Sequence, residues 1–103
     1  IVRIIKKSTL RGYWLVYPDA RPFLEVWLLT TAAAEWRNLR DVRQAYPHAD
    51  GVKVASGNTV TVFNVAGNKY RLIVSIKYGY GIVYIRDCMT HSAYSKESWK
   101  WRH

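Results

Sequence analysis

The sequence predicts an α+β fold in which an N-terminal strand and helices pack on a small antiparallel sheet. Up to residue 47 the apolar residues recur at helical spacing, and from residue 59 they alternate with a period of two. At 103 residues and 50% hydrophobic, the chain is long enough for one core and too short for two. We therefore predict a single domain over residues 1–103.

The first part of the chain predicts a strand and a helix. Residues 2–5 form a β-branched run typical of a strand, and Ser8 is a suitable N-cap for a helix that stops at Pro18. The spacing i, i+3, i+4, i+7 predicts one apolar face, formed by Leu10, Tyr13, Trp14 and Tyr17.

Two further helices are predicted before the sheet. Asp19 is expected to cap the second, with Pro22 in its first turn. Its apolar face is wide and predicts burial from several sides: Phe23, Leu24, Val26, Trp27 and Leu28. Asn38 is expected to cap a third helix, which Pro47 ends.

The second part of the chain predicts an antiparallel meander. Residues 48–58 are small and polar and indicate a linker. The strands that follow are expected at residues 59–64, 70–77 and 82–89, joined by turns at 67–68 and 78–81.

Strand pairing predicts that two arginines share a face of this meander. With residues 79–80 at the centre of the second turn, Ile73 faces Arg86 and Arg71 faces Cys88. Because side chains alternate along a strand, Arg71 and Arg86 then become diagonal neighbours on one face.

A polar cluster follows from the same pairing. With residues 67–68 at the centre of the first turn, Asn64 lies opposite Arg71, while Asp87 points to the other face. The planar donor fork of arginine matches a phosphate, so Arg71 and Arg86 are candidates to hold one. The alternative is that each arginine is an ordinary solvated or ion-paired sheet residue.

The residues after the last strand offer proton-transfer chemistry. His91 and Tyr94 are three apart and would lie on one side of a helical turn. A histidine exchanges a proton near neutral pH, and a tyrosine can stack on a base or bond a phosphate. The commoner role of an isolated histidine is a cap or surface residue, which is the role assigned to His48 and His103.

Net charge indicates the class of partner. Sixteen Lys and Arg against seven Asp and Glu give +9 at pH 7, which favours a polyanion such as nucleic acid. Charge that serves solubility alone is the alternative. Nonspecific attraction to nucleic acid is expected from Lys6, Lys7, Lys53, Lys69 and Lys77, and Asn64 and Lys96 are further candidates to bind it.

Several other classes are disfavoured. Cys88 is the only cysteine, so a disulfide framework is excluded, and we predict that this thiol is buried and structural rather than reactive. The lone cysteine indicates a reducing compartment, so we expect a cytoplasmic protein. No stretch reaches the roughly 18 apolar residues of a membrane helix, so no membrane contact is expected. One cysteine and three separated histidines fit no zinc or iron pattern, and no cofactor is expected.

Seven short motifs occur in a fixed order along most of the chain: Arg3-Ile4-Ile5, Tyr17-Pro18-Asp19-Ala20, Trp36-Arg37-Asn38, Tyr46-Pro47-His48-Ala49-Asp50, Phe63-Asn64-Val65-Ala66-Gly67-Asn68-Lys69-Tyr70-Arg71-Leu72, Tyr84-Ile85-Arg86 and Thr90-His91-Ser92-Ala93-Tyr94. Their order and spacing resemble the HigB family of toxins from type II toxin-antitoxin systems, related in fold to RelE-type mRNA interferases. The chain departs from the family pattern at Ala66, where glycine is usual, at Ser95, where an acidic residue is expected, and at Asp87, where an apolar residue is common.

The resemblance implies a RelE/ParE-like toxin fold and a metal-independent endoribonuclease that cuts mRNA, while the mRNA lies on the ribosome. It also implies a helix-turn-helix, HigA-like antitoxin, through which alone operator DNA would be bound. In such cleavage the 2′-hydroxyl attacks the neighbouring phosphorus. We expect Arg71 and Arg86 to hold that phosphate, His91 to act as general acid or base, and Tyr94 to orient the substrate.

Two other functions fit parts of the pattern. The same basic sheet could bind ribosomal RNA and inhibit translation by occupancy without cleaving anything. A ParE-like topoisomerase poison would share the fold and would need no proton-transfer residues, so His91 and Tyr94 argue against it.

Overall fold

The computed structural model describes residues 2–103 and shows an α+β fold with a five-stranded mixed sheet. Its elements are β1 Arg3–Ile5, α1 Lys7–Val16, α2 Arg21–Ala33, α3 Leu39–Ala45, β2 Asp50–Lys53, β3 Thr59–Val65, β4 Tyr70–Lys77, β5 Ile82–Thr90 and α4 His91–Ser95, with 3₁₀ turns at Pro18–Ala20, Tyr78–Tyr80 and Ser98–Arg102. The strand order is β1-β5-β4-β3-β2. Strand β1 pairs parallel to β5, and the other pairs are antiparallel. The predicted fold class is confirmed.

Helix α1 begins two residues earlier than predicted. Lys6, with a φ of 71°, occupies the N-cap position, and its carbonyl accepts from the backbone N–H of Thr9 and Leu10. Ser8 therefore lies inside the helix and is not its cap. The predicted apolar face is confirmed, because Leu10 is fully buried and Tyr13 packs against the same core.

Asp19 does not cap α2 as predicted. Ala20 holds that position without a side-chain hydrogen bond, and Asp19 lies in the preceding 3₁₀ turn. Its carboxylate accepts from the Tyr70 hydroxyl at 2.7 Å and from Lys69 Nζ at 3.2 Å. Those two donors lie on β4 and in the turn before it, so Asp19 ties the helical layer to the sheet instead.

The apolar face of α2 is narrower than the sequence indicates. Leu24 and Trp27 are fully buried and face the sheet, but Val26 is 61% exposed. Helix α2 packs against the sheet on one side only, so part of its apolar surface stays in water. The third helix is as predicted, because the Asn38 side chain caps it by accepting from the Asp41 backbone N–H at 3.0 Å.

Residues 48–58 are not a linker. They contain β2, which forms an edge strand paired with β3 from Asp50 opposite Val62 to Lys53 opposite Thr59. Strand β2 has only four residues, one of them a glycine, so its alternation of polar and apolar side chains is too short to be recognised in the sequence. The three longer strands are confirmed.

Each face of the sheet carries its own core. On one face, the buried residues of the helices pack against Phe63, Leu72 and Val74. On the other, a smaller cluster unites Ile73 and Met89 with Trp99, from the Ser98–Arg102 turn. We call Ser98–Arg102 the Trp99 segment. This aromatic and basic stretch could have docked or frayed, and in the structure it docks, with Trp99 only 1% exposed.

A β-bulge in β5 corrects the predicted pairing. Near the turn the predicted pairing is correct, up to Val74 opposite Ile85. Beyond the irregularity Ile73 lies opposite Asp87 rather than Arg86, and Arg71 lies opposite Met89 rather than Cys88. Arg86 is the extra residue of the bulge. Uninterrupted alternation from the buried Ile85 would turn the Asp87 carboxylate toward the helices, where it would lose hydration.

None of the helices in the described part of the chain is both long enough and apolar enough to cross a membrane.

Candidate functional site

Arg71 forms the centre of the candidate site. It is only 7% exposed, and its terminal amino groups donate to the Asn68 carbonyl at 3.2 Å, the Tyr70 carbonyl at 3.1 Å and the Asn68 side-chain oxygen at 2.7 Å. Within residues 2–103 no carboxylate lies at ion-pair distance from it. An arginine has five N–H donors, so Nε and one N–H of Nη2 have no acceptor in the described chain.

Tyr94 lies directly beside this arginine. Its ring centroid is 5.6 Å from Arg71 Cζ, and its ring stacks on Trp99 at 5.1 Å with an interplanar angle of 19°. Burial, followed by the nearby Asp50 charge, raises the pKa of the Tyr94 hydroxyl. The hydroxyl therefore stays protonated at neutral pH and can donate a hydrogen bond or a proton, but it cannot serve as a base.

His91 stands at the start of α4, which the Thr90 side chain caps by accepting from the Ala93 backbone N–H at 3.1 Å. The predicted helical turn that carries His91 and Tyr94 is thus confirmed. The backbone N–H of His91 donates to the Lys69 carbonyl at 2.8 Å, so the helix start is fixed to the turn before β4. The imidazole is exposed and makes no hydrogen bond to any described residue, which leaves both ring nitrogens open to a ligand.

Arg86 does not join Arg71 in one cluster, contrary to the prediction from strand pairing. Its Nε donates to Ser75 Oγ at 3.0 Å, and its Cζ lies 5.4 Å from the centroid of the Tyr84 ring. Ser75 is four residues beyond Arg71 on the same face of β4, or about 13 Å along the strand. The Arg71 guanidinium turns toward Asn68, in the opposite direction, so the two guanidinium groups are held apart.

The other predicted RNA-binding residues do not all lie on the Arg71 face of the sheet. Asn64 is opposite Arg71, as predicted, and is half-buried. Lys53, Lys77 and Lys96 are exposed, whereas Lys69 pairs with Asp19 on the helical side of the molecule.

A polar cavity of about 230 Å³ surrounds Arg86, and sequence reasoning missed it. Two of its donors, Arg102 and His103, come from the chain beyond α4, whereas the sequence predicts only a cap or surface role for His103. Only the docking of Trp99 brings them to the sheet, and no local signal in the sequence indicates that contact. The cavity is lined by Asn58, Val60, Ser75, Arg86, Arg102 and His103.

The comparisons with known proteins identify the family. A family model described as HigB_toxin, RelE-like toxic component of a toxin-antitoxin system, matches residues 20–97. The chain belongs to the HigB toxin family. No curated protein matches it.

Membership of the HigB family implies an antitoxin partner, because the family is one component of a toxin-antitoxin system. The matched range includes Arg71, Arg86, His91 and Tyr94, so every predicted catalytic residue lies within it. The Trp99 segment lies outside it.

Proposed function

We propose that this HigB-family toxin is an endoribonuclease that cuts mRNA, with Arg71, His91 and Tyr94 at the scissile phosphate. The observation that carries the proposal is the buried guanidinium of Arg71, which has unused N–H donors and no carboxylate partner among the described residues. A buried charge without a counter-ion is costly, so the position favours an anion that arrives from outside.

The chemistry assigned to these side chains is an internal transfer. The 2′-oxygen of RNA attacks the adjacent phosphorus and loses its proton, the P–O5′ bond breaks, and the leaving oxygen takes up a proton. A 2′,3′-cyclic phosphate and a 5′-hydroxyl result. His91 accepts or donates one of these protons, Tyr94 positions the substrate through its protonated hydroxyl, and Arg71 stabilises the added negative charge.

Arg86 takes a different part in this proposal from the one expected from the sequence. Since its guanidinium is directed toward Ser75, we assign it to the RNA backbone away from the scissile phosphate. The exposed Lys53, Lys77 and Lys96 add sequence-independent attraction, as does the net charge of +9.

The setting of cleavage is part of the same proposal. We assign the activity to mRNA on the ribosome and the neutralising partner to a helix-turn-helix, HigA-like antitoxin. The family description supports the antitoxin, and the cytoplasmic location follows from the substrate.

The test combines purified protein with ribosomes and a defined mRNA, with and without antitoxin, and maps the 5′ ends of the fragments. His91→Ala is expected to slow cleavage by ~10²- to 10⁴-fold, the usual contribution of a general acid or base. Arg71→Lys keeps the charge but loses the planar fork, and a loss of up to ~10²- to 10³-fold is expected.

Arg37→Gln is the matched control, because Arg37 is an exposed arginine on the helical side and should leave cleavage unchanged. Translation that stops while every transcript remains whole would replace the nuclease by an occupancy mechanism. Full cleavage by His91→Ala would remove that residue from the chemistry.

A further inference from the structure

We propose that Arg86, Arg102 and His103 form a second phosphate-binding site, distinct from the Arg71 and Tyr94 cluster, that holds a backbone phosphate of single-stranded RNA. The identity of the ligand as RNA rests on the proposed function. The site itself rests on the cavity and its donors.

The geometry leaves Arg86 open toward the cavity. Its Nε is used by Ser75 Oγ, and the Tyr84 ring supports the guanidinium plane. Neither of its terminal amino groups has an acceptor among the described residues. Ser75 is buried, so the hydrogen bond fixes the direction of the arginine at the cavity wall.

The opposite wall is built by the end of the Trp99 segment. Arg102 Nη2 lies 2.8 Å from Asp87 Oδ2, and His103 Nε2 lies 3.2 Å from the same oxygen. The carboxylate orients both side chains and cancels one charge. With Arg86 and Arg102 positive and Asp87 negative, these three side chains together carry one net positive charge.

A phosphate suits this cavity better than a neutral ligand does. Two guanidinium groups face one space, and their planar forks match the oxygens of a phosphodiester. Asn58 and Ser75 add an amide and a hydroxyl as further donors, and only Val60 in the lining is apolar. The volume of about 230 Å³ leaves room for the phosphate with part of its sugar.

The position of the site explains how one strand of RNA could use both arginines. The separation along β4 between Arg71 and Ser75 is about 13 Å, so the two clusters would contact different phosphates of the same strand. Arg102 and His103 lie beyond residues 20–97, so the completed site is not a feature of the family match.

The experiment measures binding rather than cleavage. A fluorescent 12-nucleotide RNA with 2′-O-methyl groups lacks the attacking hydroxyl, so its affinity is measurable whether or not the protein is a nuclease. Arg102→Gln is expected to weaken binding roughly tenfold, as for one lost charge-assisted contact, and to lower the slope of log K against log salt by about 0.7. His103→Gln is also expected to weaken RNA binding.

Arg21→Gln is the matched control, since it also removes one exposed, ion-paired arginine and should change neither affinity nor slope. Wild-type affinity in both Arg102→Gln and His103→Gln would overturn the proposal. If both variants bind RNA as the wild type does and the protein cleaves mRNA, this site alone is refuted. If binding depends on Arg102 but the protein does not cleave mRNA, only the proposed function is refuted.

Two further probes identify the source of the phosphate. Inorganic phosphate should shift the Arg86 Nε signal in NMR spectra and should compete with the RNA. A phosphate shift without competition would assign the same site to free phosphate. A hexaglutamate peptide that binds more tightly than RNA, and loses affinity in Arg102→Gln, would overturn the assignment in favour of an acidic protein segment.

Discussion

Replacing Trp99 by alanine removes the side chain that fastens the Trp99 segment to the sheet. Its ring is 1% exposed and contacts the cluster that contains Ile73 and Met89. It stacks on Tyr94 at 5.1 Å, and its Nε1–H donates to the Tyr94 carbonyl at 3.0 Å. The substitution therefore removes apolar burial, ring stacking and a hydrogen bond together.

The expected loss follows from these contacts. A buried aromatic side chain removes roughly 150–250 Å² from water, which at about 25 cal/mol per Å² corresponds to roughly 4–6 kcal/mol. Measured Trp→Ala and Phe→Ala changes in protein cores cost about 3–5 kcal/mol. Since the Trp99 segment can relax once its anchor is gone, we expect about 3 kcal/mol, a large share of the roughly 5–15 kcal/mol that stabilises a typical domain.

Urea unfolding followed by circular dichroism measures this change as a difference in the free energy of unfolding. Trp101→Ala is the matched control, because Trp101 is 83% exposed in the same segment and should change stability by no more than about 0.5 kcal/mol. Trp99→Phe keeps a ring but loses the N–H donor, and an intermediate loss is expected. A cost below about 1 kcal/mol for Trp99→Ala, or an equal cost for Trp101→Ala, would show that the second core does not hold the segment.

Four further predictions follow from local contacts. The hydrogen bond from Tyr70, together with that from Lys69, lowers the pKa of Asp19. This contact therefore stabilises the fold at pH values above the ordinary aspartate pKa, and the stabilisation is lost as pH falls. Asp19→Asn should accordingly make the free energy of unfolding depend less on pH in the acid range. The same hydrogen bond raises the pKa of Tyr70 to about 12. Its contribution to stability is therefore complete below pH ~10 and is lost as the pH approaches 12. Tyr70→Phe should remove this alkaline pH dependence of the free energy of unfolding. Burial raises the pKa of Cys88 to about 12, so thiol-labelling reagents should react with it only in urea, and rapid labelling of folded protein would contradict its burial. Asn38→Ala should cost ~1 kcal/mol in unfolding experiments, and no loss would mean that its cap to the Asp41 N–H is dispensable.

The long periodic elements could be predicted from the sequence, because their local pattern agrees with their final environment. The buried Leu10 and Leu24 lie on the faces that helical spacing predicts, and Asn64 lies opposite Arg71 as the first turn requires. The burial predicted for Cys88 is also confirmed. In these places local preference and tertiary packing select the same conformation.

The failures occur where a distant contact decides the local structure. Asp19 has the chemistry of a cap, but Tyr70 and Lys69 offer it stronger partners across the molecule. Strand β2 is too short to show a period and exists because β3 lies beside it. Helix α1 is capped by Lys6 in the left-handed backbone conformation, which the presence of a lysine does not predict.

The geometry of the candidate site could be predicted only in part. Arg71 and Tyr94 meet as expected, because α4 follows β5 directly and folds back over the sheet. Arg86 does not lie where the strand pairing predicts, because a register counted from the turn assumes that neither strand contains an extra residue. The contribution of Arg102 to the cavity depends on tertiary docking that no motif encodes.

The bulge at Arg86 also affects how relatives of this chain can be compared. In a related strand that lacked the inserted residue, each of the next three positions would face the side of the sheet opposite to the one it faces in this chain. An alignment column at Asp87, Cys88 or Met89 would then mix side chains from two environments, helix-facing and segment-facing. Substitution patterns at these columns become interpretable only after the sequences are sorted by the number of residues in that strand.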